Sequence, residues 1–237
     1  MIQRGIMNCL FIAAFLALPS GAVADSFLER LSNFFNLGNS ASQMKGPGDE
    51  VATGSIWTAD IEKKTATQVT QEEGYRSPVF TTTDAGIFAL KDDTLVRIKP
   101  GGSPEEVRKI SGIVKLIGFD SKNPDDILVL LKDDNAPLGV LSLKTGSITL
   151  LPYDPKSDDH KLALARIRGQ GRSMGTTRVF VKKLNKQGMT HIIEWTDVYV
   201  KRGDAEPQNV SGCDGINCAQ PALSHDGRQV VFVRSEE

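Results

Sequence analysis

Histidine and cysteine are both scarce in this chain, three of each in 237 residues. The histidines stand singly at 160, 191 and 225, so neither a catalytic triad nor a metal-ligand set assembles from the sequence. No cofactor or metal is expected. Charge of one sign is lacking too: 28 Lys and Arg face 29 Asp and Glu without a long basic run, so the electrostatic footprint of a nucleic-acid binder is missing. After the first residues no hydrophobic run is long enough to span a bilayer. What is present, 40% hydrophobic and 24% charged residues, suits one medium-sized globular domain with accessory segments.

The chain opens MIQRGIMNCLFIAAFLALPSGAVADS, with Arg4 ahead of an apolar stretch over 9–18 and then Ala22-Val23-Ala24. That order reads as a secretory signal peptide over 1–24, cleaved after Ala24. A soluble periplasmic or secreted protein is expected, with no transmembrane segment after cleavage. Cys213 and Cys218 are the cysteines left, and an oxidising compartment permits a bridge across the four residues between them. So short a loop gives a local staple of about 2 kcal/mol. A metal site would need further ligands nearby, and a redox pair usually has tighter spacing.

Residues 25–38 place Phe27, Leu28, Leu31, Phe34 and Phe35 at spacings of three and four, one apolar face of a short amphipathic helix ending at Gly38. Such a helix either docks on its own domain or, through Phe34 and Phe35, meets a partner. The polar stretch 39–53 reads as a linker. From Gly54 onward short strand-like runs follow one another between turns, the pattern of an all-β sandwich, barrel or propeller. Strands are expected at 161–168, 190–195 and 197–201, among many others.

Internal repetition chooses among these folds. "SPVFTTTDAGIFALKDDTLVRI" and "QPALSHDGRQVVFVRSEE" share a Pro, a short strand, an Asp and Gly turn and a second strand; Pro78 matches Pro221. "KLIGFDSKNPDDILVLLKDD" and "KLALARIRGQGRSMGTTRVFVKK" are degenerate copies. A second half-unit, two strands around a polar turn and ending in Thr, Ser or Pro, occurs four times, beginning with "GSIWTADIEKKTATQVT". The series starts with a second half and stops with a first half. A small β-propeller follows, four-bladed with five possible, whose domain spans 54–237 and whose last blade is closed by N-terminal strands.

"GSIWTADIEKKTATQVT", "YRSPVFTTTDAGIFAL" and "CAQPALSHDGRQVVFVR" resemble the TolB-type propeller repeat of exported bacterial proteins. The resemblance implies binding of proteins or cell-envelope components by a propeller face in the periplasm, without catalysis. "TTTDAG" and "SHDGR" replace that family's more usual Ser-Pro-Asp-Gly turn, and the separate N-terminal domain typical of the family is not expected within these residues.

The loop "RIRGQGRSMGTTR" carries Arg168 and Arg172 among its arginines and is a candidate receptor for an anionic partner. Ser173 there matches G-x-S-x-G formally, but the strand pattern that follows lacks the helix a nucleophile elbow needs. Asp154, Asp158, Asp159 and His160 lack the spacing of a calcium loop and read as a polar connection between blades. The function expected is a non-enzymatic binding or scaffold module for a protein or envelope component, acting through propeller-face loops. The alternative is a periplasmic hydrolase or lyase at the channel mouth, using Ser173 or the 158–160 cluster.

Overall fold

A computed structural model of the chain describes residues 30–31, 52–82, 86–120, 122–168 and 173–235. In chain order the strands are β1 (Ser55–Asp60), β2 (Thr65–Gln68), β3 (Tyr75–Phe80), β4 (Ile87–Lys91), β5 (Thr94–Ile98), β6 (Pro104–Lys109), β7 (Ile113–Phe119) and β8 (Asp126–Leu131). Then come β9 (Leu138–Ser142), β10 (Ile148–Leu150), the helix α1 (Asp158–Arg168), β11 (Ser173–Met174), β12 (Thr177–Gln187), β13 (Ile192–Arg202), β14 (Gln208–Asn209), β15 (Asn217–Leu223) and β16 (Gln229–Ser235).

They form four antiparallel four-stranded sheets: β3-β4-β5-β6, β7-β8-β9-β10, β11-β12-β13-β14, and β15-β16-β1-β2. The last sheet mixes the two ends of the chain. β1 pairs with β16 in register Ile56↔Val233, Thr58↔Val231 and Asp60↔Gln229, so the edge of the last strand is covered by residues 55–60. This is a four-bladed β-propeller arrangement closed by its N-terminal strands. Four blades, not five, account for the described strands.

The repeat shows in backbone detail. Pro78 and Pro221, equivalent in the sequence, sit on inner strands, and the residues before them, Ser77 and Gln220, both have φ of 52°. Both lie at register shifts, between Arg76 and Val79 on β3 and between Ala219 and Ala222 on β15. These bulges turn two buried polar side chains to meet between blades. Ser77 N–H donates to Gln220 Oε1 at 2.5 Å, and Gln220 Nε2 donates to the Ala52 carbonyl at 3.1 Å.

Apolar packing falls into three clusters. One joins the β3–β6 sheet to β7–β9 and the closing sheet, through Ile56, Phe88, Leu90, Leu116, Phe119, Val231 and their neighbours. Another joins the closing sheet to β12 and β13, through Ala59, Phe232, Val179, Val198 and Val200. The remaining one lies on the other face of the β7–β9 strands, where Leu128, Leu130 and Leu138 meet Ala163 and Leu164 of α1 and Leu31. Full burial of each large aliphatic side chain contributes about 1.5–3 kcal/mol relative to exposure. Leu31 is helical and 1% exposed, so this residue of the N-terminal apolar face docks on its own domain.

Two expectations need correction. Residues 161–168 form a helix, not an inner strand: Ser157 Oγ accepts the His160 N–H at 3.3 Å as an N-terminal cap, Asp158 and Asp159 occupy the positive first turn, and an alanine-rich stretch follows. The inner strand of that blade shrinks to Ser173 and Met174. The strands expected at 190–195 and 197–201 are one continuous strand, β13, paired over its whole length with β12. Among the described residues no helix is long and apolar enough to cross a membrane.

Candidate binding cleft

The seam where the closing sheet meets the β3–β6 sheet leaves a cleft of about 790 Å³ at one end of the strands. Its apolar lining comes from Val69, Phe80, Ile87 and Ile98, the last 1% exposed. Hydroxyl and amide groups of Thr58, Thr67, Gln68, Thr81, Thr82 and Gln229 supply the polar lining. The bounding turns are Lys99, Pro100, Gly101 and Gly102 on one side and Ser224, His225 and Asp226 on the other.

Both turns are held by local chemistry. The Ser224 carbonyl accepts the Gly227 N–H at 3.0 Å, and Gly227 then takes φ of 68°, a conformation that suits glycine. Ser224 Oγ donates to Asp226 Oδ1 at 2.6 Å and accepts the Gln229 N–H at 2.9 Å. The Ser224 hydroxyl, then the Arg228 N–H, hold the Asp226 carboxyl below the usual carboxylate range. Across the cleft, Gly86 has φ of 104°, and a Cβ there would stand 2.2 Å from the Ile98 carbonyl oxygen. Lys99 pairs with Glu105 at 3.3 Å. Fixed turns above an apolar lining give a preformed recess with donors and acceptors at its rim.

The residues singled out from the sequence lie elsewhere. Cys213 and Cys218 form a disulfide with Cα atoms 6.3 Å apart, both side chains buried against the closing sheet. Arg168 ends α1. Arg172, Phe34, Phe35, Ala24 and the signal peptide fall outside the described residues. Ser173 pairs with Arg178 across a turn between two strands, without the strand-to-helix geometry that exposes a nucleophile. His160 Nδ1 accepts the Asp154 N–H at 2.9 Å and its ring stacks on Tyr153, while Asp158 pairs with Lys161 at 2.9 Å. Those groups organise the start of α1. His191, expected within a strand, sits in the β12–β13 turn with Thr190 Oγ1 3.1 Å from its Nδ1.

Sequence reasoning reached His225 and Asp226 as a turn but missed Thr58, Thr67, Phe80 and Lys99, which belong to two different sheets and join that turn in one recess. The available signal was the predicted closure, which puts 55–70 in one sheet with the 224–229 turn.

No protein-family model matches the chain, and no curated protein matches it. Among solved structures it matches that of "putative TolB" from Agrobacterium tumefaciens, at 16% identity over 77% of this chain and 62% of that one, with a TM-score of 0.36. The chain therefore spans less than two thirds of that protein's length. A likeness at this level assigns neither family nor activity.

Proposed function

We propose that the chain is an exported, non-enzymatic binding or scaffold module that holds a protein or cell-envelope component at a propeller face. The observation that carries this reading is the closure-seam cleft, an apolar recess with a hydroxyl rim set between hydrogen-bonded turns. A recess of this kind suits a few anchoring side chains of a partner rather than a reacting group. Export is supported by the Cys213–Cys218 bridge, which needs an oxidising compartment to persist.

The test is affinity co-purification of tagged protein from its own envelope fraction, beside a Thr67→Trp variant. Thr67 is an exposed position on the cleft wall, so the larger side chain fills the recess while the core is unchanged. A component retained by the parent and lost with Thr67→Trp supports the cleft reading. A component retained equally by both moves the interaction elsewhere, and capture of nothing above an untagged control overturns the module reading.

A further inference from the structure

The strands β12 and β13 are 11 residues each, whereas the other described strands have at most 7. The first half of β12 and the second half of β13 are ordinary blade, with Val179, Val181, Val198 and Val200 buried. Beyond the Lys182↔Asp197 pair the ribbon runs on through Lys183↔Thr196 to Gln187↔Ile192 and turns at 188–191, where Gly188 N–H donates to the His191 carbonyl at 2.9 Å. Five residue pairs at strand rise carry the tip roughly 17 Å past the sheet.

A solvated ribbon tip would be polar. This one exposes Met189 completely, Ile192 at 57% and Ile193 at 41%, three of the six most exposed large hydrophobic side chains among the described residues. Beside and behind them stand Lys182, Lys183 and Lys186, all exposed, against Glu194, which Lys183 neutralises at 2.6 Å, and Asp197, which lies opposite Lys182 but is buried. Trp195, half-buried and opposite Leu184, lies at the same depth as the lysines.

We propose that the β12–β13 ribbon is a wedge for an anionic lipid surface, entering tip first with Met189, Ile192 and Ile193 among the upper acyl chains. Two features select lipid over a protein groove. Ile192 and Ile193 are consecutive in a strand and point to opposite faces, so each side of the tip carries an isoleucine, beside Gln187 on one and Lys186 on the other; a groove covers one side, whereas a lipid layer surrounds the tip. Lys186 stands opposite Ile193, from where its long stem reaches back toward phosphate depth, and Trp195, Lys183 and Lys182 follow two, three and four residue pairs behind, about 7–14 Å. Lysines there attract anionic lipid and give a salt-dependent affinity. The site is separate from the cleft and stands without it.

The experiment is flotation of the full protein with vesicles of phosphatidylcholine alone and of phosphatidylcholine mixed with phosphatidylglycerol. Binding is expected to the mixed vesicles and to weaken with added salt. A Met189→Glu, Ile193→Glu double variant is expected to lower the partition roughly tenfold or more, and Lys186→Glu to reduce it on mixed vesicles only. These positions are exposed, and unchanged thermal melts show that the fold is kept. Brominated acyl chains supply a second readout, since they should quench tryptophan emission of the parent and not of the double variant. Absence of binding to mixed vesicles at low salt overturns the proposal, as does binding or quenching that the double variant leaves intact. Loss of a co-purified protein in the double variant, without any vesicle binding by the parent, assigns the tip to a protein groove instead.

Discussion

At the scale of single residues, the half-units that end in Thr or Ser acquire a physical reason. Thr70 Oγ1 accepts the Ile56 N–H and Ser211 Oγ accepts the Val198 N–H, each at 2.8 Å, so the hydroxyl at the end of one outer strand satisfies a buried amide of its neighbour. In the β11–β14 sheet this grows into a network around Asp197, 3% exposed. Its carboxylate accepts from Cys213 N at 2.7 Å, Asn209 Nδ2 at 2.8 Å, Ser211 Oγ at 3.1 Å and Trp195 Nε1 at 3.3 Å. Asp197→Ala strands several buried donors at once and is expected to cost about 3 kcal/mol or more in urea unfolding. Asp204→Ala, on an exposed turn, should stay within about 0.5 kcal/mol. Asp226 tests electrostatics at the cleft. Its folded carboxyl titrates below the unfolded one, so its hydrogen bonds stabilise the turn above about pH 4 and that contribution is lost as pH falls further. Ser224→Ala should flatten the acid limb of the stability profile, read from melts between neutral and strongly acidic pH.

At the scale of elements, strands that alternate or carry β-branched runs were legible, because pleated surfaces demand that pattern. The helix α1 was not. Leu162 and Leu164 alternate with alanines, which imitates a period of two, and only Ser157 and the acidic first turn mark a helix start. β13 was broken in two at Thr196, where no turn residue stands; the ribbon is held by β12 alone beyond the blade, so local pattern had no core to report. The cleft was hidden for a different reason, since one of its walls is itself built from both ends of the chain, Thr58 to Val69 and Ser224 to Gln229, which share a sheet only through closure. The Cys213–Cys218 pair was readable from spacing, and it acts locally: it ties the segment after β14 to the start of strand β15, with Cys213 N–H held by Asp197. A Cys213→Ala, Cys218→Ala double variant should lose about 2 kcal/mol, a fall in Tm of roughly 4–8 °C, with the fold kept. Comparison of melts with and without reductant checks the same number on the parent.

At the scale of the whole molecule, closure is the step that links distant residues into one cooperative unit. Gly54 is its hinge point: it exchanges two backbone hydrogen bonds with Tyr75 of the next blade, at 2.9 and 3.0 Å, while a Cβ on it would stand 2.1 Å from the Arg234 carbonyl oxygen. Removal of residues 229–237 deletes the strand between β15 and β1, uncovers Ile56 and Ala59, and takes Val231, Phe232 and Val233 from two of the three clusters. That truncation is expected to abolish cooperative unfolding rather than to trim stability, because strands bereft of a blade partner leave both neighbouring interfaces open. Loss of a covalent neighbour alone should matter far less. A circular permutant that joins the ends through a flexible linker and opens the chain in the exposed turn 133–135 keeps every sheet intact, at a site where insertion and cutting are tolerated. It should melt cooperatively near the parent. Cooperative melting of the truncated chain, or failure of the permutant to fold, would show that the ends are passengers on a fold held elsewhere.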